Sequence, residues 1–388
     1  MPWSETNRME QRARFVLEAL QGRFTMSELC YRFSVSRKTG YKWLARYHAQ
    51  GVPGCEDRPR APIRHPNATS DEVVARVLRA RSKHPTWGPR TLHAALVRDF
   101  PEIMWPAPST IGEMLKRNGL IKQKRRRRVA HPPWRSARTR PDRPNRVWTA
   151  DFKGQFKLRD GTLCYPLTVA DAYSRYLLVC RGLRGTLAMP TRQAFTEAFR
   201  EYGMPDVIHT DNGVPFYTPN SGLGLSTLSV WFLKLGITLE RSRPGKPQDN
   251  GRHERMHRTL KQEAAQPPHR DESAQQRALN QFRRVYNEQR PHHALQLQTP
   301  SQHFSPSQRR YPEDIEDPTY PADFELRKIG TFGVFRWKHK DIFVSSALRH
   351  ETVGLEYVAE DLFSVYFGRI LLGRFDVKAG HFTPGLGT

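Results

Sequence analysis

Val147-Trp148-Thr149-Ala150-Asp151-Phe152, Val207-Ile208-His209-Thr210-Asp211-Asn212-Gly213 and Pro244-Gly245-Lys246-Pro247-Gln248-Asp249-Asn250-Gly251-Arg252-His253-Glu254-Arg255 decide how this chain is read. In the first two an aspartate sits in or just after an apolar run with strand character. In the third a Pro/Gly loop opens onto a helix with a glutamate in its first turns. Asp151, Asp211 and Glu254 are thus three carboxylates on three separate elements. Brought together they would hold a divalent metal, because hard cations prefer oxygen ligands. Each acid alone says little: an aspartate after a strand is usually a turn residue or a helix cap, and Glu254 alone reads as a solvated helix residue. Their ordered occurrence carries the argument.

The chain around these motifs alternates strand and helix. Residues 147–158 read as a strand, Asp160-Gly161 as a hairpin turn and 162–170 as the returning strand. Tyr176 to Cys180 give a third strand, 191–202 a helix closed by Gly203, and Val207 to Thr210 a short buried strand. A helical stripe at Leu228, Trp231, Phe232 and Leu235, a strand from Ile237 and a helix starting near Asn250 complete a mixed α/β sheet, with a further helix at 274–290. On one face of the first strand Asp151 lies with Thr149, Lys153 and Gln155.

The flanks are basic. Lys and Arg total 63 against 38 acids, a net charge of +25, which points to a polyanionic partner. A ribosomal or membrane surface would also attract such charge. The membrane fits less well, because the basic residues accompany globular apolar patterns and no apolar run reaches spanning length. Cys30, Cys55, Cys164 and Cys180 have neither zinc-finger spacing nor the look of a disulfide framework, so a reducing cytoplasm is expected. The polar N-terminus has no signal-peptide core.

Residues 1–52 read as a helix-turn-helix domain. Thr25-Met26-Ser27-Glu28 is a capping box, and Ser36 caps a second helix with a basic start. Arg37, Lys38, Thr39 and Lys42 would face DNA, with Tyr41, Leu44 and Tyr47 packed inward; an ordinary helical hairpin with solvated basic residues is the plainer alternative. Residues 53–69, with Pro53, Pro59, Pro62 and Pro66, read as a linker. Residues 70–121 read as three helices, either a second helix-turn-helix or a spacer bundle. Residues 122–146 form a basic linker, densest at Lys124, Arg125, Arg126, Arg127 and Arg128. Such a strap gains phosphate contacts by counterion release without reading bases. The catalytic core is assigned to 147–303, a second linker to 304–324 and a small all-β barrel to 325–388, whose basic residues suit DNA or protein contact.

Four motifs in order resemble the DDE insertion-sequence transposases with a retroviral-integrase-type core, most nearly those of the 481-type. They are Val-Trp-Thr-Ala-Asp at 147–151, Val-Ala-Asp-Ala-Tyr-Ser-Arg at 169–175, His-Thr-Asp-Asn-Gly at 209–213 and Pro-Gln-Asp-Asn-Gly-Arg-His-Glu-Arg at 247–255. Asn287-Glu288-Gln289-Arg290-Pro291-His292 resembles the segment closing that core. The resemblance implies an RNase H-like fold and a catalytic, metal-binding triad of Asp151, Asp211 and Glu254 holding Mg²⁺ or Mn²⁺, as two ions. It also implies a structural role for Asp171. The spacing departs from the family, since 42 residues separate Asp211 and Glu254, but the excess fits the 218–226 loop. Glu240 belongs to a strand, and Glu263 would fall on the opposite helix face.

On Glu254's own face lie His257, Arg258 and Lys261, either DNA-backbone contacts or a solvated charged face. His292 and His293 read as a polar helix end. The expected activity is metal-dependent DNA cleavage and strand transfer by a transposase acting on its element's terminal repeats and on target DNA, at least dimeric on DNA. A non-catalytic DNA-binding regulator derived from a transposase, and a metal-dependent nuclease without strand transfer, are the competing readings.

Overall fold

The computed structural model describes residues 7–58, 68–121, 139–221, 223–242 and 251–385. The chain divides into two compact units, residues 1–68 and 69–388. In the first, α1 (Arg8–Leu20), α2 (Met26–Arg32), α3 (Arg37–Gln50) and a 3₁₀ turn (Val52–Cys55) close around Phe15, Val16, Leu29, Cys30, Trp43 and Cys55. The capping box at Thr25 and Glu28 forms, and Ser36 caps α3 by accepting from Thr39 N–H at 3.2 Å. Gly40 sets the roll of α3: a Cβ there would meet Cys30 Sγ and the Phe15 ring at 2.8 Å. With Gly40 at the crossing, Trp43 turns inward and Leu44 and Tyr47 reach the edge of the core. Tyr41, one helical step of about 100° from Gly40, is therefore exposed, which corrects the expectation that it packs inward. The packed unit runs on to the buried Cys55, past the boundary expected at residue 52.

The second unit begins with α4 (Asp71–Lys83), α5 (Pro89–Asp99) and α6 (Pro108–Arg117), packed around Val77, Trp87, Leu92, Leu96, Ile111 and Leu115. This bundle is docked on the sheet domain that follows. Thr86 donates to Glu263, which also accepts from Arg290 Nη1 at 3.2 Å, and Arg98 donates to the Gln289 carbonyl at 3.1 Å. The basic run Lys124 to Arg128 lies outside the described residues. Beyond it, Thr139 N–H donates to Glu240 at 3.0 Å, and Arg143 and Arg146 both reach Asp206.

The sheet contains β1 (Val147–Phe152), β2 (Phe156–Lys157), β3 (Leu163–Asp171), β4 (Leu177–Leu183), β5 (Val207–Thr210) and β6 (Thr238–Arg241). Its order is β4-β3-β1-β5-β6, with β2 paired to the start of β3. The β4-β3-β1 side is antiparallel and the β1-β5-β6 side parallel. The single strand expected over 147–158 is two strands, interrupted where Gly154 takes a φ of +76°.

Alternation then assigns the faces. Trp148, Ala150, Leu167 and Val169 bury under α7 (Ala188–Tyr202) and α8 (Thr227–Lys234), against Phe195, Phe199, Trp231 and Phe232. The other face takes α9 (Gly251–Leu260), a π-helical turn at Lys261–Ala265, and α10 (Glu272–Arg284), through Met256, Leu260, Leu279 and Phe282. The contact of α9 with the sheet is partly polar. Thr168 Oγ1 lies 2.7 Å from Nε2 of both His253 and His257, and His253 Nδ1 lies 3.1 Å from Thr149 Oγ1.

Asp171 anchors the entry to the sheet. Its carboxylate accepts from Asn145 N–H at 2.9 Å, Ser174 N–H at 2.7 Å and the Ser174 hydroxyl at 2.6 Å. Asn145 in turn accepts from Trp148 Nε1 at 2.9 Å. Burial raises the Asp171 pKa above the ordinary carboxylate value, and these hydrogen bonds oppose the shift.

The remaining strands are β7 (Glu325–Lys328), β8 (Val334–Trp337), β9 (Lys340–Phe343), β10 (Thr352–Ala359), β11 (Leu362–Phe367), β12 (Ile370–Asp376) and β13 (His381–Pro384). They form a five-stranded antiparallel sheet, β13-β12-β11-β10-β7, and a separate β8-β9 ribbon. The all-β character expected of 325–388 holds, with two more strands than the pattern revealed. Among the described residues the strands do not close into the expected barrel; the ribbon covers the sheet instead, burying Phe335 and Ile342 against Val353, Leu355 and Phe375.

Two stability predictions follow from these buried polar groups. Asp171→Ala strands three donors, so at about 1–3 kcal/mol per orphaned group it should cost about 3–9 kcal/mol. Chemical denaturation measures this, and a loss below about 1 kcal/mol would contradict the anchoring role of Asp171. Burial lowers the pKa of His253 to about 3 and of His257 to about 2. Both rings are neutral when folded and titrate near 6.5 when unfolded. Their stabilisation is therefore complete above the unfolded value and lost as pH falls. Between pH 7 and 5 each should remove roughly 2 kcal/mol. Urea titrations at the two pH values should show that slope, and the double variant His253→Asn/His257→Asn should flatten it.

Candidate active site and nucleic-acid interface

The parallel register of β1 on β5 places Ala150 opposite Thr210. The next residue on each strand is an aspartate, so Asp151 and Asp211 occupy neighbouring positions at the C-terminal ends of strands about 4.8 Å apart. Such strand ends are where α/β sites open. Asp151, the last but one residue of β1, lies on the face shared with Thr149, and its Oδ2 is 3.8 Å from His257 Nδ1. That separation exceeds hydrogen-bond length, and burial governs the imidazole, which stays neutral. Asp211 begins a tight turn: its Oδ1 accepts from Gly213 N–H at 3.0 Å, and Asn212 donates to the Ser242 carbonyl at 2.8 Å. The turn is thereby tied to the end of β6.

Glu254 stands in the first turn of α9 with its side chain exposed. Its neighbour His253 is fully engaged with the sheet. The two rival glutamates have other occupations. Glu240 accepts from Thr139 N–H and faces His209 at 4.0 Å, while Glu263 joins Thr86 and Arg290. Among the described residues no three His, Cys, Asp or Glu side chains stand close enough together to hold an ion. Asp151 and Asp211 are neighbours, then, and Glu254 is on the helix beside them, without a formed cage. The donor set is nonetheless all carboxylate on separate elements, which suits Mg²⁺ or Mn²⁺ better than a softer metal.

Of the basic residues expected on Glu254's face, Arg258 and Lys261 are exposed on the helix and the π turn that continues it. His257 is not: it is 7% exposed and bonded to Thr168, so it cannot serve as a DNA-backbone contact. The i, i+4 spacing of His253 and His257 places both imidazoles on the sheet side, and the two threonines supply their partners. Sequence reasoning missed Thr149, Thr168 and His253. The available signal was a pair of hydroxyls on Asp151's own strand face and two histidines one helical turn apart.

In the N-terminal unit Arg37, Lys38 and Lys42 are exposed at the start of α3. Lys42 lies over the Trp43 ring with Nζ 4.6 Å from its centroid. Thr39 is partly occupied, since its hydroxyl lies 2.9 Å from Ser36 Oγ. Tyr41 joins the lysines on this face. No described helix is long and apolar enough to cross a membrane.

Comparison with known proteins agrees with this layout. Integrase core domain models match residues 141–247 and 235–300. A helix-turn-helix domain model matches 11–63, and a homeodomain-like domain model matches 39–115. A 31.7 kDa protein of insertion element IS407 from Burkholderia multivorans is 28% identical over 241 residues, covering 61% of this chain and 82% of that protein. The Pol polyprotein of feline endogenous virus ECE1 is 31% identical over 125 residues, covering 32% of this chain and 11% of the polyprotein. Among solved structures, the HTLV-2 integrase catalytic core domain in complex with magnesium is 17% identical, with 42% of this chain and 99% of that one covered at a TM-score of 0.31. The simian T-cell lymphotropic virus intasome in complex with the PP2A regulatory subunit B56 gamma is 15% identical, with 80% and 99% covered at a TM-score of 0.35. Helix-turn-helix domain models thus lead into integrase core domain models along the chain, which is similar to an insertion-element protein over 82% of that protein's length.

Proposed function

We propose that the chain is an insertion-sequence transposase, of the 481-type its motifs resemble, that binds the ends of its element and cuts and joins DNA at Asp151, Asp211 and Glu254. The observation that supports this reading is the β1–β5 register, which sets Asp151 beside Asp211, with Glu254 exposed in the first turn of α9, the helix bonded to β1 through His253 and Thr149. The three carboxylates would hold Mg²⁺ or Mn²⁺, as two ions, whose chemistry when bound is to activate an attacking oxygen and stabilise a leaving one. The chain's own part is placement. Arg258 and Lys261, exposed alongside Glu254, hold the DNA backbone near the carboxylates. Arg37, Lys38 and Lys42 on α3 seat the terminal repeat, and the basic run Lys124 to Arg128 adds phosphate contacts. Water breaks a P–O3′ bond at the element end, leaving a 5′-phosphate and a free 3′-hydroxyl, and that hydroxyl then attacks a target phosphodiester, forming a new P–O bond as the target's own 3′-oxygen departs as a hydroxyl. No protein–DNA covalent bond forms, because the carboxylates act as ligands and not as nucleophiles. Joining two ends requires at least two copies of the chain on DNA.

Incubating the full chain with Mg²⁺ and duplex DNA carrying the element's end tests this directly. Wild type should nick at the end. Asp151→Asn should lose at least about a hundredfold of that rate, since a lost ligand forfeits several kcal/mol and each 1.4 kcal/mol is tenfold. Binding without cutting would favour a regulator. Equal cutting by Asp151→Asn would place the chemistry elsewhere. Cutting without joining would favour a simple nuclease. Binding should also report the charged face: Lys42→Ala should lower the salt dependence of end binding by about one unit of log–log slope. An unchanged slope would remove Lys42 from the interface.

A further inference from the structure

We infer that the Thr168 hydroxyl is the positioning group for Glu254, acting through His253 and His257 to fix the roll of α9 against the strand that carries Asp151. The inference rests on the proposed triad and deepens it. Thr168 is fully buried in β3 and pairs with Asp151 across the antiparallel ladder. Its hydroxyl has one proton and two lone pairs. The proton goes to the Asp151 carbonyl oxygen at 3.1 Å. Both imidazoles lie 2.7 Å away through Nε2, so both must donate to this one oxygen. With both rings neutral, that count assigns each the Nε2–H tautomer. His253 Nδ1 is then an acceptor for the Thr149 hydroxyl at 3.1 Å, which makes this bond in place of the one available to the Ala170 carbonyl at 3.2 Å, and His257 Nδ1 is turned toward the Asp151 carboxylate at 3.8 Å.

The hydroxyl therefore gathers the main chain of Asp151 and two successive turns of α9 at a single atom. A helix held only by Met256 and Leu260 would be free to roll, because apolar contact is non-directional. Two imidazoles one turn apart, on one acceptor, remove that freedom. Glu254 follows His253 by one residue, about 100° around the helix. The roll that seats His253 between Thr149 and Thr168 thus also determines the side from which Glu254 approaches the strand ends. Removing the hydroxyl takes the shared acceptor from both rings, leaving His253 its interaction with the Thr168 backbone, while keeping the shape of the β-branched side chain.

The experiment compares Mn²⁺ affinity of the full-length wild type, Thr168→Val, Thr168→Ser and Thr191→Val by calorimetric titration, with thermal unfolding on the same samples. Thr191 is an equally buried threonine in α7, across the sheet from the site, whose hydroxyl bonds to the Leu187 carbonyl. Thr168→Val should bind Mn²⁺ about 10–100-fold more weakly, the range for loss of a group that orients ligands. Thr168→Ser should recover most of the affinity, and Thr191→Val should lose stability without losing affinity. Wild-type affinity in a folded Thr168→Val overturns the inference, whereas Asp151→Asn would still abolish binding if the metal site itself is right. If wild type takes up no Mn²⁺, the metal reading fails. The inference is then decided by hydrogen exchange of the α9 amides: faster exchange in Thr168→Val but not in Thr191→Val upholds it, and unchanged exchange overturns it.

Discussion

The central constraint is the position of β1, antiparallel to β3 on one side and parallel to β5 on the other. A strand in that place is buried on one face by Trp148 and Ala150 and presents Thr149 and Asp151 on the other. Parallel pairing with β5 makes the two strands end together, and each leads into an aspartate. Antiparallel pairing with β3 brings Thr168 beside Asp151, and Thr168 is the residue to which α9 is bonded. Moving β1 by one residue would exchange its faces, burying Asp151 under α7 and α8 and exposing Trp148 to α9. The network of Asp171, Ser174, Asn145 and Trp148 opposes such a slip, since it ties the start of β1 to the end of β3 through directional bonds.

Many cations of this chain, whose net charge is +25, are committed to acids other than Asp151, Asp211 and Glu254. Arg143 and Arg146 are committed to Asp206, Arg290 to Glu263, and Lys234 to Asp317 and Glu351. Beside Asp151 the packed side chains are neutral imidazoles and hydroxyls. On α9, Arg258 faces solvent. The 70–117 helices are docked on the turn that follows α9, through Thr86, Glu263 and Arg290, so they brace the far end of the helix that carries Glu254.

Much of this was legible before folding. The strand–helix alternation, the capping box at Thr25, the cap at Ser36 and the ordered acids all depend on local periodicity or on short motifs, and these survive in sequence. What was not legible depends on roll and register. Tyr41 was placed inward because it is apolar in bulk, yet Gly40 and its close approach to Cys30 and Phe15 decide which side of α3 is buried. His257 shares the helix face of Glu254 by phase, but only the position of Thr168 on β3 shows that its ring is buried. The break at Gly154 and the open, ribbon-covered C-terminal sheet likewise follow from pairings between strands far apart in sequence. Helix phase turns Glu263 away from Glu254, but phase cannot reveal its partners, Thr86 in the 70–117 helices and Arg290 beyond α10.

Crystals soaked in Mn²⁺, with an anomalous difference map at the manganese edge, put the central claim to its most direct test. A peak should lie between Asp151 and Asp211, within about 2.0–2.4 Å of an oxygen from each, with Glu254 turned toward it and the His253 and His257 bonds to Thr168 intact. A peak ligated by other side chains, or no peak at saturating Mn²⁺, would contradict it.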